Sequence, residues 1–182
     1  MKAFAFFLKP KYRLDLVAGL CDGILTALTL TAGRLVIPGS TMTMGLAFRV
    51  GAATAVPGAF VFFVAHYAQL RGELAEAERQ LNVTSRGKLA ASRLGRDILR
   101  EASLGALVAS GSSFCGALTP LVSGVLLPEN RWFAVIVALV ILTLLGAVLA
   151  RVLRGNPFSW VIGLLAGGVA LTLLGMQLHI IR

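Results

Sequence analysis

Charge is scarce in this chain. Only 14% of its 182 residues are Asp, Glu, Lys or Arg, where a water-soluble domain carries about 25%. Hydrophobic residues make up 57%, and the mean hydropathy is +0.85. A chain of this length cannot hide so much apolar surface inside one domain bathed in water. Lipid is the expected solvent. Cysteine is scarce too. Cys21 and Cys115 both stand in apolar runs, which argues against a disulfide framework or a CxxC-type zinc site. They read as small apolar packing residues. No phosphate-binding loop and no nucleophile–base set occurs, so an enzyme is not expected. The N-terminal apolar run from Ala3 to Leu8 is six residues long, too short for a signal-peptide core, and Lys9, Pro10, Lys11 and Arg13 follow at once. It reads as a cytoplasmic or interfacial segment with its aromatics at the membrane surface.

Long apolar stretches are what the chain does have. A membrane-spanning helix needs about 20 mostly apolar residues, and five stretches qualify. They run from about Leu14 to Ile37, Met44 to Leu70, Ser103 to Leu127, Trp132 to Leu153 and Pro157 to Ile181. Turn chemistry separates most of them, in "IPGST", "LPENR" and "RGNP". Pro57 predicts a kink in the second span. The expected fold class is therefore an all-α membrane protein: one membrane domain over 1–182, with five transmembrane helices and a short helical cytoplasmic connection between helices 2 and 3. That connection, 71–102, holds seven basic and five acidic residues. Its second part gathers Leu89, Leu94, Ile98 and Leu99 opposite Arg93, Arg96 and Arg100. Such an amphipathic basic helix suits a headgroup surface or packing under the bundle.

Orientation follows from Lys and Arg. With the N-terminus inside, the inner segments collect thirteen of the seventeen basic residues. The expected topology is N-terminus cytoplasmic and C-terminus outside. The net charge of +9 then reflects topology and anionic lipid, and no nucleic acid partner is needed to explain it.

Against this apolar background, buried polar residues stand out. Asp22 lies in the middle of "AGLCDGILTAL", roughly 12 Å into the first span. A carboxylate at the centre of a bilayer costs about 2.5–3.5 kcal/mol on insertion scales. It reads as an ion or proton site facing the bundle interior, with a helix–helix hydrogen bond, or an Asp held by Thr26 or a neighbouring helix, as the alternative. Asp15, seven residues earlier on the same face, could lead ions toward it or simply cap the helix. His66, in the second span, could ligate a divalent metal or carry a proton, or serve a packing contact. Glu73 and Glu76 share a helix face and could collect cations, or pair with Arg71 and Arg79. Asp97 and Glu101 sit among arginines and read as salt-bridge partners. Gly19 and Gly23 form a GxxxG step that predicts close approach of two first spans across a two-fold axis, and Gly163 and Gly167 form another. Ser110, Ser112, Ser113 and Thr119 make the third span polar, which suits close packing or the lining of a path.

"RLDLVAGLCDGILTALTLTAG" resembles the first helix of the vacuolar iron transporter family. "SGSSFCGALTPLVSGVLL" resembles its third, and "LLGAVLARVLRGNPFSWVIGLLAGGVALTLLG" its fourth and fifth with the basic turn between them. The likeness runs from about Arg13 to Gly175. It implies a homodimer that moves ferrous or manganous ions between the bundles in exchange for protons, with Asp22 at the family's transport aspartate. In the second helix, Phe62 stands where the family has methionine and His66 where it has glutamate. The soft thioether is gone, and an imidazole still suits Fe(II), Mn(II) or Zn(II). The 71–102 connection is shorter and more basic than the family's acidic metal-collecting domain.

The sequence therefore predicts a transporter that exports divalent metal, iron or manganese, from the cytosol by proton exchange. Asp22 would be the central ligand, His66 a second ligand, and Glu73 and Glu76 the gatherers at the entrance. No cofactor is expected beyond the transported ion. The partners would be that ion, protons, the bilayer and a second copy of the chain, in a prokaryotic inner membrane. The alternative is a non-transporting scaffold or regulatory relative of the same fold.

Overall fold

A computed structural model describes residues 12–35, 43–80, 93–127, 130, 132–153 and 155–177. Among them are five long helices: α1 (Arg13–Leu35), α2 (Met44–Gln80), α3 (Arg93–Leu126), α4 (Phe133–Val152) and α5 (Pro157–Gln177). All five are long and apolar enough to cross a membrane. The chain is an all-α integral membrane protein.

Local chemistry sets several of the helix ends. Asp15 lies in the first turn of α1, where its charge complements the exposed N–H groups. Thr43 caps α2: its hydroxyl oxygen accepts the Leu46 N–H at 3.3 Å, the arrangement expected of an N-cap threonine. Proline opens α5 at Pro157, where its missing N–H costs nothing.

Two helices outrun their apolar stretches. α2 has 37 residues and α3 has 34, or about 55 and 51 Å at 1.5 Å per residue, against a hydrocarbon core of about 30 Å. Residues 71–80 continue α2, and residues 93–102 form the start of α3. The predicted connection is thus built largely from extensions of the two helices it joins. Residues 81–92, with Leu89, lie outside the described residues. Of the predicted apolar stripe, Ile98 is buried while Leu94 and Leu99 are exposed.

α1 is the hub and touches all four other helices. On one side, Val17, Ile24 and Leu28 pack with Val135, Ala138 and Leu142 of α4 into the main apolar core. On another, Ala27 meets Ala47 of α2 and Ala117 and Leu121 of α3. Cys21 joins the rim of the main core, in line with a packing role, whereas Cys115 is exposed. α2 rests mainly on α3 and touches α1 far less. Only 11% of its most apolar stretch is buried, so Phe48, Val56 and Phe60 are presented outward.

The α1–α3 contact is a backbone contact. A Cβ on Gly19 would collide with the Ala109 carbonyl and the Ser112 hydroxyl, and one on Gly23 with the Ser113 carbonyl. From the other side, a Cβ on Gly116 would stand 2.6 Å from the Leu20 carbonyl oxygen. The Gly19–Gly23 step, expected to bring two first spans together across a two-fold axis, is consumed inside the chain by α3. The reason is that Gly116 and a run of small residues on α3 offer the complementary surface. Gly163 and Gly167 face open space, with nothing within 4 Å of an added Cβ.

Candidate functional site

α1 and α3 run in the same direction and α2 runs opposite, so residues about seven or eight apart on each helix fall into matching layers. Two polar layers result.

The deeper layer holds Asp22. The Ser113 hydroxyl on α3 donates to Asp22 Oδ2 at 2.9 Å, and Ser113 is fully buried. Gly58 of α2 faces the same oxygen: a Cβ there would lie 3.8 Å from Oδ2. The absent side chain lets the α2 backbone approach the carboxylate. The Thr26 hydroxyl does not hold the carboxylate. It donates to the Asp22 main-chain carbonyl at 2.9 Å, one turn back along α1. Asp22 itself is exposed and lines a cleft between α1 and α2. The cleft is about 280 Å³ and is lined by Asp22 and Thr26 on one wall and Ala53, Thr54, Pro57 and Gly58 on the other. Val61 and Phe62 complete the lining.

The second layer pairs His66 with Asp15. His66 Nδ1 stands 3.8 Å from Asp15 Oδ1, with 24% of the histidine side chain and 15% of the aspartate exposed. That gap is too wide for a direct hydrogen bond. Asp15 Oδ2 is buried and has no hydrogen-bond partner among the described residues. Gly105 of α3 closes the layer, since a Cβ there would lie 3.0 Å from Asp15 Oδ2 and 3.6 Å from His66 Nε2. Glu101, one turn before Gly105, is within electrostatic reach of Asp15.

The four residues singled out from sequence do not converge on one point. Asp22 meets Ser113, and His66 meets Asp15 instead, about 10 Å along α1 at 1.5 Å per residue. Phe62, one turn before His66 on the same stripe of α2, lines the Asp22 cleft. Glu73 is exposed and accepts a hydrogen bond from Gln69 Nε2 at 3.1 Å, one turn earlier. Glu76 lies on the projecting end of α2 beside Arg79. No group of three or more His, Cys, Asp and Glu side chains among the described residues is gathered closely enough to hold a metal ion. The arrangement is a file along one stripe of α2: Glu76, Glu73, Gln69, His66 and then Gly58 against Asp22.

The third span is visibly hydroxyl-rich in sequence, but nothing there sets Ser113 apart, nor sets His66 beside Asp15. Both contacts join residues far apart in the chain, 91 positions for Ser113 and Asp22. The available signal for Ser113 was a polar residue in an apolar span, where a buried hydroxyl needs a partner.

Compared with known proteins, the chain matches no family model, no curated protein and no solved structure.

Proposed function

We propose that this chain is a membrane transporter that moves a divalent metal ion, iron or manganese, out of the cytosol in exchange for protons, working as a homodimer. The observation that carries the reading is Asp22. It is an exposed carboxylate halfway through an apolar helix, held by one oxygen to Ser113 and open to a cleft. Intramembrane carboxylates of this kind are costly and mark ion or proton paths. The thirteen basic residues on one side favour a cytoplasmic N-terminus and an external C-terminus, in a prokaryotic inner membrane. On that orientation the projecting end of α2 lies inside. Glu76 and Glu73 would gather ions there, and His66 with Asp15 would receive them before Asp22. A second copy laid over the α1–α2 cleft would shield the carboxylate from lipid.

The Ser113–Asp22 hydrogen bond also favours a second reading, a membrane scaffold of the same fold in which Asp22 ties α1 to α3. Ion flux separates the two. In proteoliposomes, wild type should carry Fe(II) or Mn(II) in a pH-gradient-dependent way, and Asp22→Asn should abolish that flux with the protein still folded. Full flux in Asp22→Asn, or none for any divalent ion in wild type, would leave the scaffold reading.

A further inference from the structure

We infer that the Asp22 cleft binds a hard, partly hydrated divalent cation of the Mn²⁺ kind through oxygen atoms alone, and that Pro57 supplies one of these oxygens by releasing the Ala53 carbonyl. The inference rests on the transport reading of Asp22 and narrows its substrate.

The hydroxyl groups around the cleft all have their protons engaged. The Thr26 hydroxyl donates its proton to the Asp22 carbonyl at 2.9 Å. The Thr54 hydroxyl donates its own to the Gly51 carbonyl at 2.8 Å. The Ser113 hydroxyl donates to Asp22 Oδ2. The two threonine protons are spent on main-chain carbonyls and the Ser113 proton on the carboxylate, so the cleft is left with lone pairs. A pocket of acceptors fits a positive charge and repels an anion.

Pro57 adds a further acceptor. α2 runs through Pro57 without a break, yet proline has no N–H to give the carbonyl four residues earlier. That carbonyl belongs to Ala53, and Ala53 and Pro57 both line the cleft. In the apolar part of a membrane a freed carbonyl needs a partner, and broken helical bonding of this kind is how membrane helices offer main-chain oxygens to cations. Gly58, next in sequence, brings this stretch of backbone against Asp22.

The resulting set is one carboxylate, one carbonyl and two hydroxyl oxygens, without thiolate, thioether or imidazole. His66 stands in the other layer with Asp15, and Phe62 in the cleft lining offers no donor atom. Carboxylate, carbonyl and water ligands suit Mn²⁺ and Mg²⁺, whereas soft ions gain most from sulfur and nitrogen. At about 280 Å³ the cleft admits such an ion with several waters, each filling about 30 Å³.

The test is Mn²⁺ binding by the full chain in detergent or nanodiscs, read from loss of the free-ion paramagnetic resonance signal, with Cd²⁺ as competitor. Pro57→Ala restores the N–H that satisfies Ala53 and should weaken Mn²⁺ binding roughly tenfold. Thr54→Val removes a hydroxyl at nearly constant shape, should act in the same direction, and serves if Pro57→Ala is poorly folded. Cd²⁺ should compete within about tenfold of Mn²⁺ itself. Unchanged Mn²⁺ binding in both variants, or a preference for Cd²⁺ of roughly a hundredfold, would overturn the oxygen-only site while Asp22-dependent binding kept the transport reading. Absence of any divalent binding by wild type would remove both.

Discussion

The two sides of α1 are built on different plans. Toward α4 it presents Val17, Ile24 and Leu28, and the two helices are held apart by interlocked branched side chains. Toward α3 it presents Gly19 and Gly23, and the helices meet backbone to backbone. In lipid, an apolar side chain gains little from leaving the hydrocarbon, so close packing and interhelical hydrogen bonds decide association. The difference also explains where the polar groups went. Asp22 and Thr26 sit at the margin of the glycine face. Only there does a short hydroxyl such as Ser113 come within 2.9 Å of a carboxylate on the next helix. Across the branched face the same hydroxyl would fall short.

The largest effect is expected from filling the glycine face. In Gly23→Val the new Cβ would strike the Ser113 carbonyl and stand 2.8 Å from the Ala117 nitrogen. Neither is a flexible side-chain end, so α1 and α3 must part and the Ser113–Asp22 bond goes with them. Overpacking on this scale costs about 3 kcal/mol. The measurement is thermal unfolding of the purified protein in detergent, and wild-type stability in this variant would mean that the helices do not touch as described.

A smaller effect is expected from Ser113→Ala. The substitution keeps the close approach and removes only the hydrogen bond to Asp22. Interhelical hydrogen bonds in membranes contribute about 0.6 kcal/mol on average and up to about 1.7, so a loss of about 1 kcal/mol is expected in the same unfolding assay. Under the transport reading, flux should change more than stability does, because the freed Asp22 oxygen is no longer fixed. Under the scaffold reading, stability should drop with no flux to lose. This variant therefore asks whether the glycine face is a seam or a site.

The same contrast shows what could be read from sequence. The five spans were legible because apolar runs of about 20 residues have few other uses. The starts at Met44 and Pro157 agree with the structure. The helix beyond the second span was legible too, because hydropathy falls at Arg71 while helix propensity does not. "RGELAEAERQ" is rich in Ala, Glu, Gln and Arg, all good helix formers, and α2 continues to Gln80. Asp22 was legible as a charge out of place. Its partner was not, since Ser110, Ser112 and Ser113 are equivalent until the facing of α3 is known. His66 beside Asp15 was hidden for the same reason: each helix shows which groups it carries, and only the bundle shows which meet. The release of the Ala53 carbonyl was visible as Pro57 in a span, but its meaning required the cleft.

The smallest effect should come from a glycine step that looks identical in sequence to the first. Gly163 and Gly167 repeat the spacing of Gly19 and Gly23, yet an added Cβ at either meets nothing within 4 Å. On the same helix, Gly168 and Gly175 do face neighbours: a Cβ would lie 2.8 Å from a Leu142 methyl carbon and 2.6 Å from the Thr29 carbonyl oxygen, respectively. Adjacent positions on α5 thus separate glycine required by packing from glycine on an outer surface. Gly167→Leu should leave unfolding within about 0.5 kcal/mol of wild type, as outward substitutions do, while Gly175→Leu should approach the cost of Gly23→Val. Comparable losses at 167 and 175 would show that the Gly163–Gly167 face is covered in the assembled protein, and the outer side of α5 would then be the place to look for the second copy.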